Sequence, residues 1–197
     1  MGVPTIKTGP MTVEEFYAFT DVRPEEEKWE LIDGEPILNA SPSPTHQWII
    51  SNLVFALTQR ARQLNAPWAV LPGLGVRVSP TNRPEPDVLV VPRSASSTDP
   101  QGRDRGDVIV AFEVLSPSTE ERDMRWKRAA YTSLPSLANY VVIAQDTPEV
   151  VVFGRDVGFA ERRVQSLSES LNLPSLGISV PLSEIYHDME WVRGRGW

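Results

Sequence analysis

Charged side chains stand in this chain where apolar ones belong. The run VIVAFEVL, residues 108–115, carries a single charged residue, Glu113, near its end, and in EPDVLVVP the apolar run 88–91 is preceded directly by Asp87. Runs of this kind, bounded by turn residues, read as strands covered on both faces. A carboxylate on such a strand carries a large desolvation cost unless a cation or several donors meet it. For one acid alone, a neighbouring arginine or loop amides would suffice.

The segment that follows narrows the choice. Ser118 and Glu121 have capping-box spacing, which predicts a helix from about residue 119 to 133. At about 100° per residue, Trp126, Ala130, Leu134, Tyr131 and Met124 share one apolar arc, with Asp123 and Lys127 in its middle. Glu121, Arg122, Arg125, Arg128 and Thr132 take the opposite, solvated face. A surface Asp-Lys pair at i and i+4 stabilises by only about 0.2 to 0.5 kcal/mol. That accounts for the spacing but not for the location, because a lysine is almost never buried without an anion. Glu113 lies one tight turn upstream. Two carboxylates with a lysine suit the binding of a divalent cation and the polarising of a water beside a phosphodiester. The three arginines would meet phosphates, or simply keep the helix soluble.

The elements that must position these groups are legible in outline. TVEEFYAF has a second capping box, Thr12 with Glu15, and an apolar stripe of Val13, Phe16 and Tyr17, so it reads as a short helix. Asp33-Gly34 between two apolar runs predicts a hairpin with strands near 28–32 and 35–39. SPSPTHQWIISNLVFALTQRARQL starts at Ser43-Pro44 and continues with Trp48, Ile49, Leu53, Ala56, Leu57 and Leu64 at helical spacing. His46 falls in its first turn, where a histidine either covers the helix end or joins a site. WAVLPGLGVRVSP reads as a strand bent at its glycines, and SASSTDPQGRDRG as a polar loop expected to move. NYVVIAQ and EVVVFGR are two further strands, and LNLPSLGISVPLSEIY a final strand and a short helix. The expected architecture is α/β or α+β, a central sheet with helices on its faces. An N-terminal arm over 1–11, one domain over 12–189 and a tail over 190–197 complete the expected organisation.

Composition sets the outer limits. With 197 residues the chain is long enough for one domain with a sizeable core, and its count of zero cysteines excludes disulfides, thiolate metal sites and thiol nucleophiles. No apolar run approaches the roughly 20 residues of a membrane span, and MGVPTIKTGPMTVEEF lacks signal-peptide character, so a soluble cytoplasmic protein without membrane partners is expected. The formal net charge of -7 argues against non-specific coating of nucleic acid, which is driven by counterion release. It leaves room for a carboxylate-rich metal enzyme with a local basic surface.

The series WELIDGE, SPTHQ, EPDVLVV, FEVLSPST and RDMRWKRAAY resembles, in order and spacing, a bacterial family of proposed endonucleases. That family is abundant in cyanobacteria, was formerly a domain of unknown function, and falls within the PD-(D/E)XK restriction-endonuclease-like superfamily. The resemblance covers about residues 12 to 186, and EVLSPST followed by Asp123, Lys127 and Tyr131 is its specific part. It implies a restriction-endonuclease-like mixed sheet flanked by helices, hydrolysis of DNA with Mg²⁺ or Mn²⁺, and a homodimer or higher homo-oligomer. It places Pro86-Asp87 in the metal-binding motif and Glu113 in the second acidic position, with the Val114 carbonyl as a further ligand. The superfamily lysine normally lies two residues after that glutamate, where this chain has Leu115, and Lys127 on the following helix becomes the candidate. Asp123 would tune it, Glu30 resembles the N-terminal acidic residue, and His46 matches a position of accessory or substrate-binding type. NYVVIAQ departs from the family, which often reads EYW, an apolar pair and Asp. Two other readings remain open here: a catalytically inactive nuclease-fold binding module, and a glycoside hydrolase using two carboxylates, which leaves Lys127 without a role.

Overall fold

The computed structural model describes residues 9–94, 101–116, 120–189 and 191. The Ser118 cap, the helix start at Thr119, most of the N-terminal arm and nearly all of the tail lie outside the described residues.

Among those residues the first element is α1 (Val13–Thr20), whose capping box forms as its spacing predicts: Glu15 N–H donates to Thr12 Oγ1, and Thr12 N–H to Glu15 Oε2. The hairpin β1 (Trp29–Ile32) and β2 (Glu35–Leu38) follows. Its central residues Asp33 and Gly34 have φ of 50° and 79°, the double positive φ of a type I′ turn, whose twist matches the flanking strands. The hairpin leads into α2 (Pro44–Gln63), capped by Ser43, which accepts from His46 N–H.

The chain then supplies β3 (Trp68–Pro72), β4 (Gly75–Val76), β5 (Val88–Pro92), β6 (Asp104–Arg105) and β7 (Val110–Val114). A π-helical segment, Arg122–Lys127, runs directly into α3 (Arg128–Thr132). Last come β8 (Asn139–Ile143), β9 (Val150–Gly154), β10 (Glu161–Val164), β11 (Ser170–Leu173), β12 (Ile178–Pro181) and α4 (Leu182–Ile185).

The main sheet has the order β10-β9-β8-β7-β5-β3 and is antiparallel except between β7 and β8. A parallel neighbour needs a crossover, and the π segment with α3 provides it. Alternation along the strands sorts the core. Val88, Val90, Val110, Phe112 and Val114 face α2, α4 and the β11-β12 hairpin. Leu89, Val91 and Ala111 face the crossover with Tyr131, Leu134 and Tyr140, and Glu113 shares that second face.

Four expectations need correction. Trp48 and Leu64 are about half exposed, 50% and 55%, unlike Ile49, Leu53, Ala56 and Leu57. Trp48 lies a full 100° step from Ile49 and donates instead to the His187 carbonyl, while Leu64 is already the C-cap. The polar stretch before β7 is not all loop. β6 pairs parallel with β4, and Asp104 is fully buried, accepting from Tyr17 Oη at 2.6 Å and Arg77 Nε at 3.0 Å. The C-terminal part holds two strands, not one. β10 escaped the sequence because three of its four residues are exposed and charged, as suits a sheet edge.

Gly34 offers a direct check of the hairpin. A Cβ there would sit 2.2 Å from Pro10 Cβ on a backbone already at positive φ. Gly34→Ala is expected to lose about 1 to 3 kcal/mol of stability in urea denaturation.

Candidate active site

Glu113 and Asp87 are brought together by strand register. Val88 pairs with Phe112 across the antiparallel β5-β7 ladder, so one further step sets Asp87 opposite Glu113, with both side chains on one face. β5 begins and β7 ends at this point. Both carboxylates line a cavity of about 330 Å³, together with His46, Arg122, Asp123 and Lys127.

Lys127 is the centre of the buried charge. Its Nζ lies 2.9 Å from Glu30 Oε1, 2.9 Å from Glu113 Oε1 and 3.4 Å from Asp123 Oδ1. Tyr131 Oη donates to the same Glu113 oxygen at 3.1 Å. Glu30 is fully buried behind the cavity on β1, where Oε1 also accepts from Glu85 N–H at 2.7 Å and Oε2 accepts from Asn39 Nδ2 at 3.0 Å.

The local helix geometry changes which arginine takes part. Within the π segment Arg128 N–H reaches the Asp123 carbonyl five residues back, and Tyr140 Oη donates to that same carbonyl at 2.9 Å. The wider turn rotates Arg122 off the solvated face where regular α spacing puts it. Arg122 Nη2 donates to Asn39 Oδ1 at 2.8 Å and lies 3.4 Å from Glu30 Oε2. Arg125 stays on the surface, paired with Glu121 at 3.1 Å, and Arg128 covers the Phe153 ring and donates to the Phe159 carbonyl. Of the three candidate arginines, only Arg122 lines the cavity.

The groups in this cluster ionise differently. Burial disfavours the charge on Glu30, but Lys127, the Glu85 N–H and Arg122 outweigh it and hold the carboxyl below its ordinary value of 4.5. Burial lifts the Glu113 carboxyl well above that value; Lys127 opposes the lift, and the charges of Asp123, Asp87 and Glu30 add to it. Burial would also discharge Lys127, yet Glu113, Glu30 and Asp123 overcome this and keep it a cation. Burial pushes the Tyr131 phenol well above its ordinary value, so it stays a donor.

Asp87 is anchored at both oxygens. Oδ2 accepts from Val114 N–H at 2.7 Å, and Oδ1 lies 2.9 Å from His46 Nε2. Since the N–H and C=O of a strand residue point to the same side, the Val114 carbonyl also faces Asp87. Gln145, just past β8, donates from Nε2 to the Leu115 carbonyl, lies 3.5 Å from His46 Nδ1, and accepts from Ser43 Oγ at 2.9 Å. Sequence reasoning passed over Gln145, Asn39 and Tyr140. Gln145 had a usable signal: it ends NYVVIAQ, and parallel neighbours such as β7 and β8 end at the same edge of a sheet.

Among the described residues, no three His, Asp or Glu side chains form a ready cation cage. Two carboxylates and a strand carbonyl nevertheless suit Mg²⁺, which takes one or two carboxylates and keeps several waters. The hydrogen bonds from Lys127 and Tyr131 to Glu113 both fall on Oε1.

A sheet of this order with carboxylates meeting at one edge has close relatives in shape. The chain is similar, at a TM-score of 0.71 and 17% identity, to the crystal structure of a putative nuclease belonging to DUF820 from Anabaena variabilis ATCC 29413. The match covers 90% of this chain and 98% of that one. The fold is restriction-endonuclease-like, a mixed α+β arrangement. The model of the Uma2 family, described as "Putative restriction endonuclease", matches residues 13–183, and the chain belongs to that family. No curated protein matches it. Among the described residues no helix is long and apolar enough to cross a membrane.

Two measurements test the charge cluster. Lys127→Ala leaves Glu30, Glu113 and Asp123 without their shared cation and is expected to cost about 3 to 5 kcal/mol of stability. Glu30→Gln tests the sign of a pH effect. Because the folded Glu30 carboxyl is held below 4.5, its contribution is present above that pH and is lost as pH falls through the folded value. The stability gap between wild type and Glu30→Gln is therefore expected to be full at neutral pH and to close in acid below 4.5, read by denaturant titration at a series of pH values.

Proposed function

We propose that this chain is a metal-dependent DNA endonuclease that uses Mg²⁺, or Mn²⁺, to hydrolyse phosphodiester bonds, with Asp87, Glu113 and the Val114 carbonyl as ligands. The observation that carries this reading is the meeting of Asp87 and Glu113 in one cavity with Lys127 Nζ 2.9 Å from Glu113. Membership of a family described as restriction endonucleases supports DNA as the substrate class. When bound, the ion would polarise the phosphoryl oxygen and lower the pKa of a water.

The chain's own residues have distinct tasks. Lys127, held by three carboxylates, presents its charge beside Glu113, where it orients the attacking water. It also steadies negative charge building on the phosphate. Arg122 presents a guanidinium, suited to two phosphate oxygens, on the same cavity wall. Glu30 holds Lys127 and Arg122 from behind, and Asp123 adds to the charge that keeps Lys127 protonated. His46 holds Asp87. Arg125 and Arg128, turned elsewhere, are left to the surface.

A second reading, a nuclease-fold module that binds without cutting, is favoured by two observations: Leu115 stands where the superfamily lysine is usual, and Lys127 is already taken by three carboxylates. Calorimetric titration with Mg²⁺ and Mn²⁺ separates the two readings, since a non-cutting module needs neither ion. For the endonuclease, duplex, single-stranded or branched DNA should be cut only with the metal. Asp87→Asn should slow cutting by at least about 100-fold, because loss of even an outer partner of a metal site costs 10- to 100-fold. Equal cutting by this variant, with the fold intact by circular dichroism, would remove Asp87 from the site.

A further inference from the structure

Gln145 has no place in the reading above, and it joins the end of β8 to the residue after β7 and to the first turn of α2. Its amide orientation follows from its partners. The Leu115 carbonyl can only accept, so the Gln145 NH₂ must face it, which turns Oε1 toward the Ser43 hydroxyl, 2.9 Å away. The same NH₂ lies 3.5 Å from His46 Nδ1. Asp87 Oδ1, 2.9 Å from Nε2, is a carboxylate oxygen that only accepts, and Nδ1 faces the Gln145 NH₂, so both neighbours favour the tautomer with the proton on Nε2. With Val114 N–H on Oδ2, the Asp87 carboxylate is fixed at both ends.

We infer that Gln145 is a positioning residue: together with Asp87 it selects the Nε2–H tautomer of His46 and, through that ring, holds the orientation of the Asp87 carboxylate. Ser43 sets Gln145 in turn, from the N-cap of the helix that carries His46. Removing the Gln145 amide frees Nδ1 to bond water as donor or acceptor. Asp87 alone then favours the proton on Nε2, so the share of the other tautomer, whose Nε2 has no proton to give Asp87, rises. The hydrogen-bond chain stands on the structure alone, whereas its effect on metal binding rests on the ligand role proposed for Asp87.

The test uses the full chain without metal. There are two histidines, and His187 has a side chain 70% exposed, so a His187→Gln background leaves His46 as the sole imidazole. Long-range ¹H–¹⁵N spectra at about pH 8, where an ordinary imidazole is neutral, should show His46 protonated at Nε2 alone. Gln145→Met, which keeps the length of the side chain but not its amide, should move both ring nitrogens toward averaged shifts. Calorimetric titration should show Mn²⁺ affinity lowered about 10- to 100-fold, with circular dichroism unchanged. An Nδ1-protonated His46, or ring shifts that Gln145→Met does not move, would overturn the inference. So would a moved tautomer with unaltered Mn²⁺ affinity. If the parent chain binds no Mn²⁺, the metal reading fails by itself, and the His46 spectra still decide the role of Gln145.

Discussion

The ammonium group of Lys127 holds together parts of the chain that are otherwise unrelated. Glu30 comes from the N-terminal hairpin, Glu113 from the sheet and Asp123 from the crossover, and their oxygens converge on one buried nitrogen. A buried ammonium among three carboxylates is a poor way to gain stability, since well-packed apolar residues of similar volume often do as well or better. Once built, however, it is rigid. Glu30 and Glu113 also have a second tie, to the Glu85 N–H and to the Tyr131 hydroxyl respectively. An arrangement that costs desolvation and yields stiffness suits a site that must hold charge in place while a reaction changes it.

The two carboxylates at the sheet edge are made unequal by their surroundings. Asp87 is partly exposed and held by a backbone N–H and an imidazole. Glu113 is buried among like charges, which together with burial raise its carboxyl above the ordinary value against the pull of Lys127. A divalent ion between them would oppose that rise, because the ion would be the largest charge in the cavity.

The π segment decides which side chains can reach the cavity. A regular helix through Arg122–Lys127 would leave Arg122 in solvent beside Arg125. The i to i+5 turn instead brings it to Asn39 and Glu30, and Tyr140 donates a second hydrogen bond to the Asp123 carbonyl that closes the wider turn. Irregular helical turns of this type are frequent at functional sites. Here the irregularity has a definite product, a second cation on the cavity wall.

Much of this was open to reading in the residues themselves. A carboxylate inside an apolar run, a lysine inside an apolar arc and an Asp-Gly turn are local departures from a local pattern, so Glu113, Lys127 and the β1-β2 hairpin could be recognised from their neighbours in the chain. Asp87 could be recognised as an oddity, and strand register then set it opposite Glu113. The inward turn of Arg122 could not be read, because the expectation assumed a constant angle per residue and the helix did not keep it. Nor could Gln145, whose bond to Ser43 joins residues 102 apart in sequence, or Asn39, which meets Arg122 across 83. Periodicity in a sequence reports which face a side chain takes on its own element. Which faces come to share a cavity depends on strand order and crossover, and only the folded chain holds that information.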